Sequence, residues 1–460
     1  MDTAMPGKDL RILVGPIDTA SFPSRLGRCL AEKGCRVWVL NTSAHRYHAT
    51  TDRLGLARPV ASSAFRLLRI LEDRGTGGIV LGGSLKPFLI FGIFLWSLFA
   101  IDAVVFVSGR SLIRGYWDLW IYRLLGKRVV RVFLGSDSRP KYLSGPHDQV
   151  LDSVSERKAC RELAARVRRQ QKRIARMSAW SDVVIENPLC GHFQVKPFVN
   201  WFCVGFPHDP GFFEPNDATT DDASKQAENV RFKILHCPSN PRIKGTDRVD
   251  SIMDRLQSDG MEIDYVRITG MPHHVVLQHL RTCDFVIDEL YSDTPMAGFA
   301  SEAAACGRAV LVAGYGWEAL RTSVPEEFVP PNLCITPDDF ETALPDLIRD
   351  QQRYRQTGKE VLRFINDCWH SSAVAERFIR ILAGDIPDHW WVQSEQVGYW
   401  QGLGTTQDHR EQVLRRFLNN EGLKALKVNQ NNAFYALMSK WRTTDHPDAT
   451  GEIDRPRASG

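Results

Sequence analysis

The stretch Ile234–Val249, ILHCPSNPRIKGTDRV, runs strand, loop, helix. A short apolar run closes on Pro, Ser and Asn. Helical periodicity then begins near Thr246, predicting a helix over Thr246–Ser258. Between them stand Arg242, Lys244 and Gly245. A helix N-terminus offers free N–H groups and partial positive charge, so two cations there suit an anion such as a diphosphate, and a glycine allows close backbone approach. The competing reading is an ordinary loop with solvated charges and Thr246 as helix cap.

The same unit recurs on either side. IDYVRITG, DFVIDELY, RAVLVAG and LCIT are short apolar runs separated by helical patterns over Pro272–Thr282 and after Ser301. Before residue 216 the series is RILVG (Arg11–Gly15), the helix SRLGRCLAEKG, RVWVLN, DAVVFVSG, KRVVRVFLGSD and SDVVIENP. Alternating strands and helices predict βαβ units and parallel sheets. The chain therefore reads as α/β, with two Rossmann-like doubly wound domains facing a cleft and C-terminal helices beyond. The expected boundaries are 1–215 for the first domain, 216–229 for a polar linker or surface loop, and 230–385 for the second domain. Trp-rich helices over 386–440 and a mobile tail over 441–460 complete the chain. Open parallel sheets bind ligands at their C-terminal strand ends, so the cleft is the expected site.

Composition narrows the function classes. At 460 residues the chain exceeds one ordinary core. It is 43% hydrophobic and 24% charged, with a net charge of +4, which does not suggest a nucleic-acid partner. Ten cysteines lie scattered without a C-x-x-C pair, which fits free thiols in a reducing cytosol. No apolar N-terminal run suits a secretory signal, so a cytoplasmic location is expected. No P-loop is present, and the first βα turn, GPIDTASFPSR, lacks the glycines of a dinucleotide site.

Two segments raise a membrane surface. PFLIFGIFLWSLFAI, Pro87–Ile101, is 15 residues long, short of the roughly 20 needed to span a bilayer. It is expected as a buried helix beside a sheet, with a surface helix dipping into lipid as the alternative. RKACRELAARVRRQQKRIARM, Arg157–Met177, carries nine Lys or Arg against one acid. A solvated helix face and an attraction to anionic lipid at the inner face of the membrane both fit it.

The second candidate site is YSDTPMAGFASEAAACGRAV, Tyr291–Val310. Asp293 lies in a small-residue turn, and Glu302 stands where the next helix is expected to start. A carboxylate over a first helical turn suits a ribose diol; a plain helix-dipole glutamate is the alternative.

PSNPRIKGTDRV, ITGMPHHVVLQHLRTCDFVIDEL and GFASEAAACGRAVLVAG together resemble the C-terminal domain of retaining GT-B glycosyltransferases of the family 4-like group, over Phe232–Gly316. VVRVFLGSDSRP resembles a first-domain Gly-Ser-Asp-x-Arg segment of that group, and VGFPHDPGFF its interdomain crossover. The resemblance implies that Arg242 and Lys244 hold a donor diphosphate, with Gly245 beside them, and that Glu302 holds the ribose. The first Glu of the group's motif falls on Thr294, with Asp293 one residue early as the nearest acid. The N–H groups of Ala297, Gly298 and Phe299 then take more of the sugar contact. Apart from the resemblance, His273 and His274 follow TGMP, with Gly270, at a strand end where a donor base would stack; a satisfied surface His is the competing reading. Asp18, Gly135, Asp137 and Arg139 fall on the acceptor side, with a local Asp137–Arg139 contact as the competing reading, and Leu134 replaces a usual His.

The implied function is sugar transfer from a nucleoside-diphosphate donor, a substrate rather than a cofactor, to a glycan or lipid-linked acceptor in surface polysaccharide synthesis. No metal is expected, because cations and helix dipoles offset the phosphate charge. A catalytically silent binding or scaffold protein on the same fold is the alternative.

Overall fold

A computed structural model describes residues 9–42, 58–59, 76–208 and 232–445. The linker 216–229 and the tail from residue 446 lie outside the described residues.

The first sheet comprises β1 (Arg11–Gly15), β2 (Arg36–Val39), β3 (Arg58–Pro59), β4 (Ala103–Val107), β5 (Arg128–Val132), β6 (Val183–Glu186) and β7 (Phe198–Asn200). The second comprises β8 (Phe232–His236), β9 (Ile263–Arg267), β10 (Phe285–Glu289), β11 (Ala309–Ala313) and β12 (Leu333–Ile335). A last strand, β13 (Trp391–Val392), returns to the first sheet. The spatial orders are β13-β7-β6-β5-β4-β1-β2-β3 and β12-β11-β10-β8-β9. All pairings are parallel except that of β13 with β7, where Trp391 faces Val199.

Near-continuous apolar strands form because both sheet faces are covered. Ile12, Val14 and Val105 pack on the side of helix Phe22–Glu32. Leu13, Val104 and Phe106 pack on the other, against Phe94, Tyr122 and Leu163. The helix side is continuous with residues of the second sheet such as Val286 and Val310, so one apolar core joins the two sheets.

The chain crosses between the sheets twice, and the crossings touch. His208 N–H donates to the Trp369 carbonyl at 3.0 Å, and Ser371 N–H donates to the His208 carbonyl at 2.8 Å. Trp369 is fully buried. A Cβ on Gly205 would lie 2.4 Å from the Trp369 ring, and Gly205 has φ +87°, so only glycine fits.

Helix Ser371–Ala383, expected to finish the second domain, packs instead on helix Phe22–Glu32 of the first. Its buried stripe, Val374, Phe378 and Ile381, finds an apolar partner there, with the Phe378 and Phe22 ring centroids 6.2 Å apart. Helix Gln407–Glu421 likewise lies on helix Glu156–Ala179.

The apolar segment departs from the expected burial. It belongs to a helix over Thr76–Ala100 that keeps Pro87 inside. Only one side meets the domain, burying Ile93, Phe94 and Ser97, while Phe88 and Phe99 are 77% and 84% exposed. Among the described residues no helix is long and apolar enough to cross a membrane.

Candidate ligand-binding cleft

In the second sheet β9, β8 and β10 are neighbours, and the loops at their C-terminal ends carry the residues singled out above. After β8, a single helical turn, Pro241–Lys244, precedes helix Thr246–Ser258. Asn240 caps the turn by accepting from Ile243 N–H at 3.3 Å. Gly245 joins the two with φ +70°, and a Cβ there would lie 2.8 Å from Leu290 Cβ. His236, at the end of β8, fixes the junction: one ring nitrogen bonds the Ile287 carbonyl at 2.8 Å and the other the Thr246 hydroxyl at 2.9 Å.

That junction separates the two expected diphosphate cations. The Lys244 side chain is 8% exposed and its ammonium contacts Asp288 and, at 3.2 Å, Glu289. The Arg242 side chain is 68% exposed and pairs with Asp148 of the first domain. Burial disfavours the Lys244 charge, but the two carboxylates outweigh it and hold the ammonium above its ordinary range. Burial pushes the Asp288 carboxyl up, with Lys244 opposing.

After β10, helix Gly298–Ala305 begins one turn before the expected start. Gly298 and Phe299 already have helical geometry, with Ala297 extended at the cap, so Glu302 sits one turn inside rather than at the mouth. Small residues at 297–301 give a weak start signal, which is why the acid looked terminal. Its carboxylate accepts from His273 Nε2 at 2.9 Å and from Arg25 Nη2 at 2.7 Å. Burial alone would raise the Glu302 carboxyl, yet His273 and Arg25 hold it below its usual range. His273 is the first residue of helix His273–Thr282 after β9; Gly270, in the preceding loop, has φ +69° and open space around it.

Asp293 meets the first domain. Arg139 grips it in bidentate fashion, Nη2 to Oδ1 at 2.6 Å and Nε to Oδ2, with both side chains almost wholly buried. The Cys190 thiol donates to Asp293 Oδ2 at 3.3 Å. Burial opposes the Arg139 charge, but Asp293 keeps the guanidinium above its ordinary range. Burial also pushes the Cys190 thiol well up. The local Asp137–Arg139 contact is therefore not made. Asp137 accepts instead from Leu134 N–H at 3.0 Å, which shapes the turn around Gly135 (φ +90°), and burial raises its carboxyl. Thr294 stays local, its N–H donating to the Ser292 hydroxyl at 3.2 Å. Asp18 is buried and accepts from the Ser24 hydroxyl at 2.6 Å, holding the start of the first helix.

The residues that sequence reading missed are Arg25 and Cys190. Arg25 had a signal: it stands on the apolar stripe of its helix with Phe22, Leu26 and Cys29, where a charge is out of pattern. Cys190 had none. Among the described residues no group of three His, Cys, Asp or Glu side chains is placed to hold a metal ion.

This architecture matches solved structures. Sucrose-phosphate synthase from Thermosynechococcus elongatus aligns at 14% identity over 82% of this chain and 99% of its own, with a TM-score of 0.51. HepE from Anabaena, solved with UDP and glucose, aligns at 12% identity over 82% and 100%, TM-score 0.45. A trehalose-6-phosphate synthase aligns at 12% over 82% and 99%, TM-score 0.45. No family model matches the chain, and neither does any curated protein. The fold is the two-domain GT-B architecture.

Proposed function

We propose that the chain transfers a sugar from a nucleoside-diphosphate donor to an acceptor hydroxyl, with retention of configuration. The observation that carries this reading is convergence. The loops after three adjacent strands carry a buried lysine after β8, His273 after β9, and after β10 a helix N-terminus with a carboxylate one turn into that helix. A diphosphate would lie over the N–H groups of Ala297, Gly298 and Phe299 with Lys244 beside it. The ribose diol would donate to Glu302, with His273 beside the base.

Donor binding is then an exchange of partners. Phosphate oxygens take Lys244 in place of Asp288 and Glu289, and the ribose shares Glu302 with Arg25 and His273. Catalysis rests on stabilising the leaving diphosphate and holding the acceptor hydroxyl on the same face of the sugar. Asp293, neutralised by Arg139, serves as an anchor for the sugar-side loop rather than as a nucleophile. Arg242 joins the diphosphate only by leaving Asp148. The reaction needs no metal, since Lys244 and the helix end supply the positive charge. A glycan or lipid-linked hydroxyl compound of surface polysaccharide synthesis is the proposed acceptor class.

Thermal shift against a panel of nucleoside diphosphates tests the binding half. A ligand at 100 times its dissociation constant should stabilise by about 2.7 kcal/mol. Incubation with a panel of nucleotide sugars, with and without EDTA, tests turnover. Failure of every nucleoside diphosphate to bind sinks the proposal, and binding without hydrolysis or transfer leaves a binding protein.

A further inference from the structure

Two helices beside the first sheet leave apolar stripes uncovered. On helix Thr76–Ala100, Phe88, Phe91, Leu95 and Phe99 recur at spacings of three and four and are exposed. On helix Trp117–Leu124, Trp117, Trp120 and Leu124 repeat the pattern. The helices adjoin: the Phe94 and Trp117 ring centroids are 5.4 Å apart, and the Ser97 and Tyr122 hydroxyls bond at 2.5 Å. Single exposed apolar side chains are ordinary, whereas a contiguous aromatic array marks an interaction site.

Charge selects the occupant. From Leu85 to Arg128 the chain carries six Lys or Arg and two acids. Of the acids, Asp102 is paired with Arg11 and Asp118 is buried. Arg110, Arg114 and Arg123 are exposed on this edge, Arg123 also pairing with Asp182. The basic helix Glu156–Ala179 reaches the same edge, where Arg176 donates to the Gly115 carbonyl at 3.1 Å. Its exposed side carries Arg168, Arg169 and Lys172. Of its two acids, Glu156 is paired with Arg416, leaving Glu162 as the other. A second copy on this face would set like charges together, while an anionic bilayer offers an apolar interior bordered by phosphates.

We propose that this face seats the protein on an anionic bilayer, with the aromatic stripes at the acyl boundary and the flanking cations at headgroup phosphates. Contact is lateral, because one side of helix Thr76–Ala100 stays packed on the domain. The inference goes beyond sugar transfer and stands independently of it, since none of these residues joins the ion pairs of the cleft.

Co-sedimentation of the full chain with phosphatidylglycerol–phosphatidylcholine vesicles, and with phosphatidylcholine alone, tests it alongside light scattering. Binding is expected only with the anionic lipid and should weaken with salt. Phe88→Ser with Phe99→Ser should cut binding by about tenfold or more. Arg114→Glu with Lys172→Glu should cost about fivefold for each cation lost. Both variants should keep the thermal stability and nucleotide binding of the parent. The inference is overturned if anionic vesicles are not bound, or if both variants bind like the parent. A dimer in lipid-free solution that the Phe88/Phe99 variant splits overturns it equally, in favour of self-association.

Discussion

Arg139 and Asp293 form a buried bidentate ion pair across the cleft, joining the loop after β5 to the loop after β10. Removing one partner strands a buried charge, whereas replacing both with apolar residues is often tolerated. Arg139→Ala should therefore destabilise by roughly 3–5 kcal/mol, and Arg139→Met with Asp293→Leu should recover much of that loss. Urea unfolding of the two single variants and the double variant measures it; a double-variant loss equal to the sum of the two single losses would show that the pair is not coupled.

Lys244 and Arg242 should separate in binding assays. Lys244→Ala leaves Asp288 and Glu289 without their shared cation, so it should both lower stability and weaken nucleoside-diphosphate binding by on the order of tenfold or more. The exposed Arg242–Asp148 pair contributes under about 1 kcal/mol, so Arg242→Ala should leave stability nearly unchanged. Calorimetric titration alongside thermal melts checks both, and a larger binding loss from Arg242 would reverse their assigned ranks.

Gly245→Ala places a methyl at φ +70° against Leu290, 2.8 Å away. The strained conformation costs about 1 kcal/mol or more before the clash is counted. The variant should melt lower and bind a nucleoside diphosphate less well, because the turn carrying Lys244 shifts. Unchanged melting would mean that the loop relaxes freely.

Acid should destabilise the fold through buried histidines. Burial pushes His208 down to about 3, and His147, His192 and His236 to about 4. In the unfolded chain these rings protonate near pH 6.5. Below that value the unfolded state binds protons that the folded state refuses. The stability is therefore complete above about pH 6.5 and is lost as pH falls toward about 4. Each ring contributes up to about 1.4 kcal/mol per pH unit in that window. Urea unfolding at several pH values between 7 and 5 gives the slope; a flat profile would contradict neutral burial of these rings.

The strand–loop–helix units were legible because doubly covered parallel strands write unbroken apolar runs, and turn residues punctuate them. The interface was not, because its pairs join residues far apart in the chain. Arg139 reaches Asp293 across 154 positions, and nothing near either residue signals the other. Asp137, two residues away, offered a competing local partner, which the fold uses instead to accept from Leu134 N–H. Glu302 stands out by residue type as a candidate, but its depth in the helix is hidden by small neighbours that give little start signal. An apolar helix with no polar side likewise conceals which face the protein covers, so the exposed stripe of Phe88 and Phe99 became visible only in three dimensions.

The contact between the two crossings at His208 and Trp369 has a mechanical consequence. Any widening of the cleft must preserve both crossings, so we infer that they act as a pivot. Arg25 touches both His208, at 3.3 Å, and Glu302, so its ion pair lies beside that pivot. Among the described residues, the Arg139–Asp293 and Arg242–Asp148 pairs have no such link to it. Distance measurements by paired spin labels on the two domains, with and without a nucleoside diphosphate, would reveal the swing; a rigid separation would rule the pivot out. Opening would then proceed like a jaw, with the teeth at Arg139 and Arg242 parting first and the carboxylate assigned to the ribose moving least.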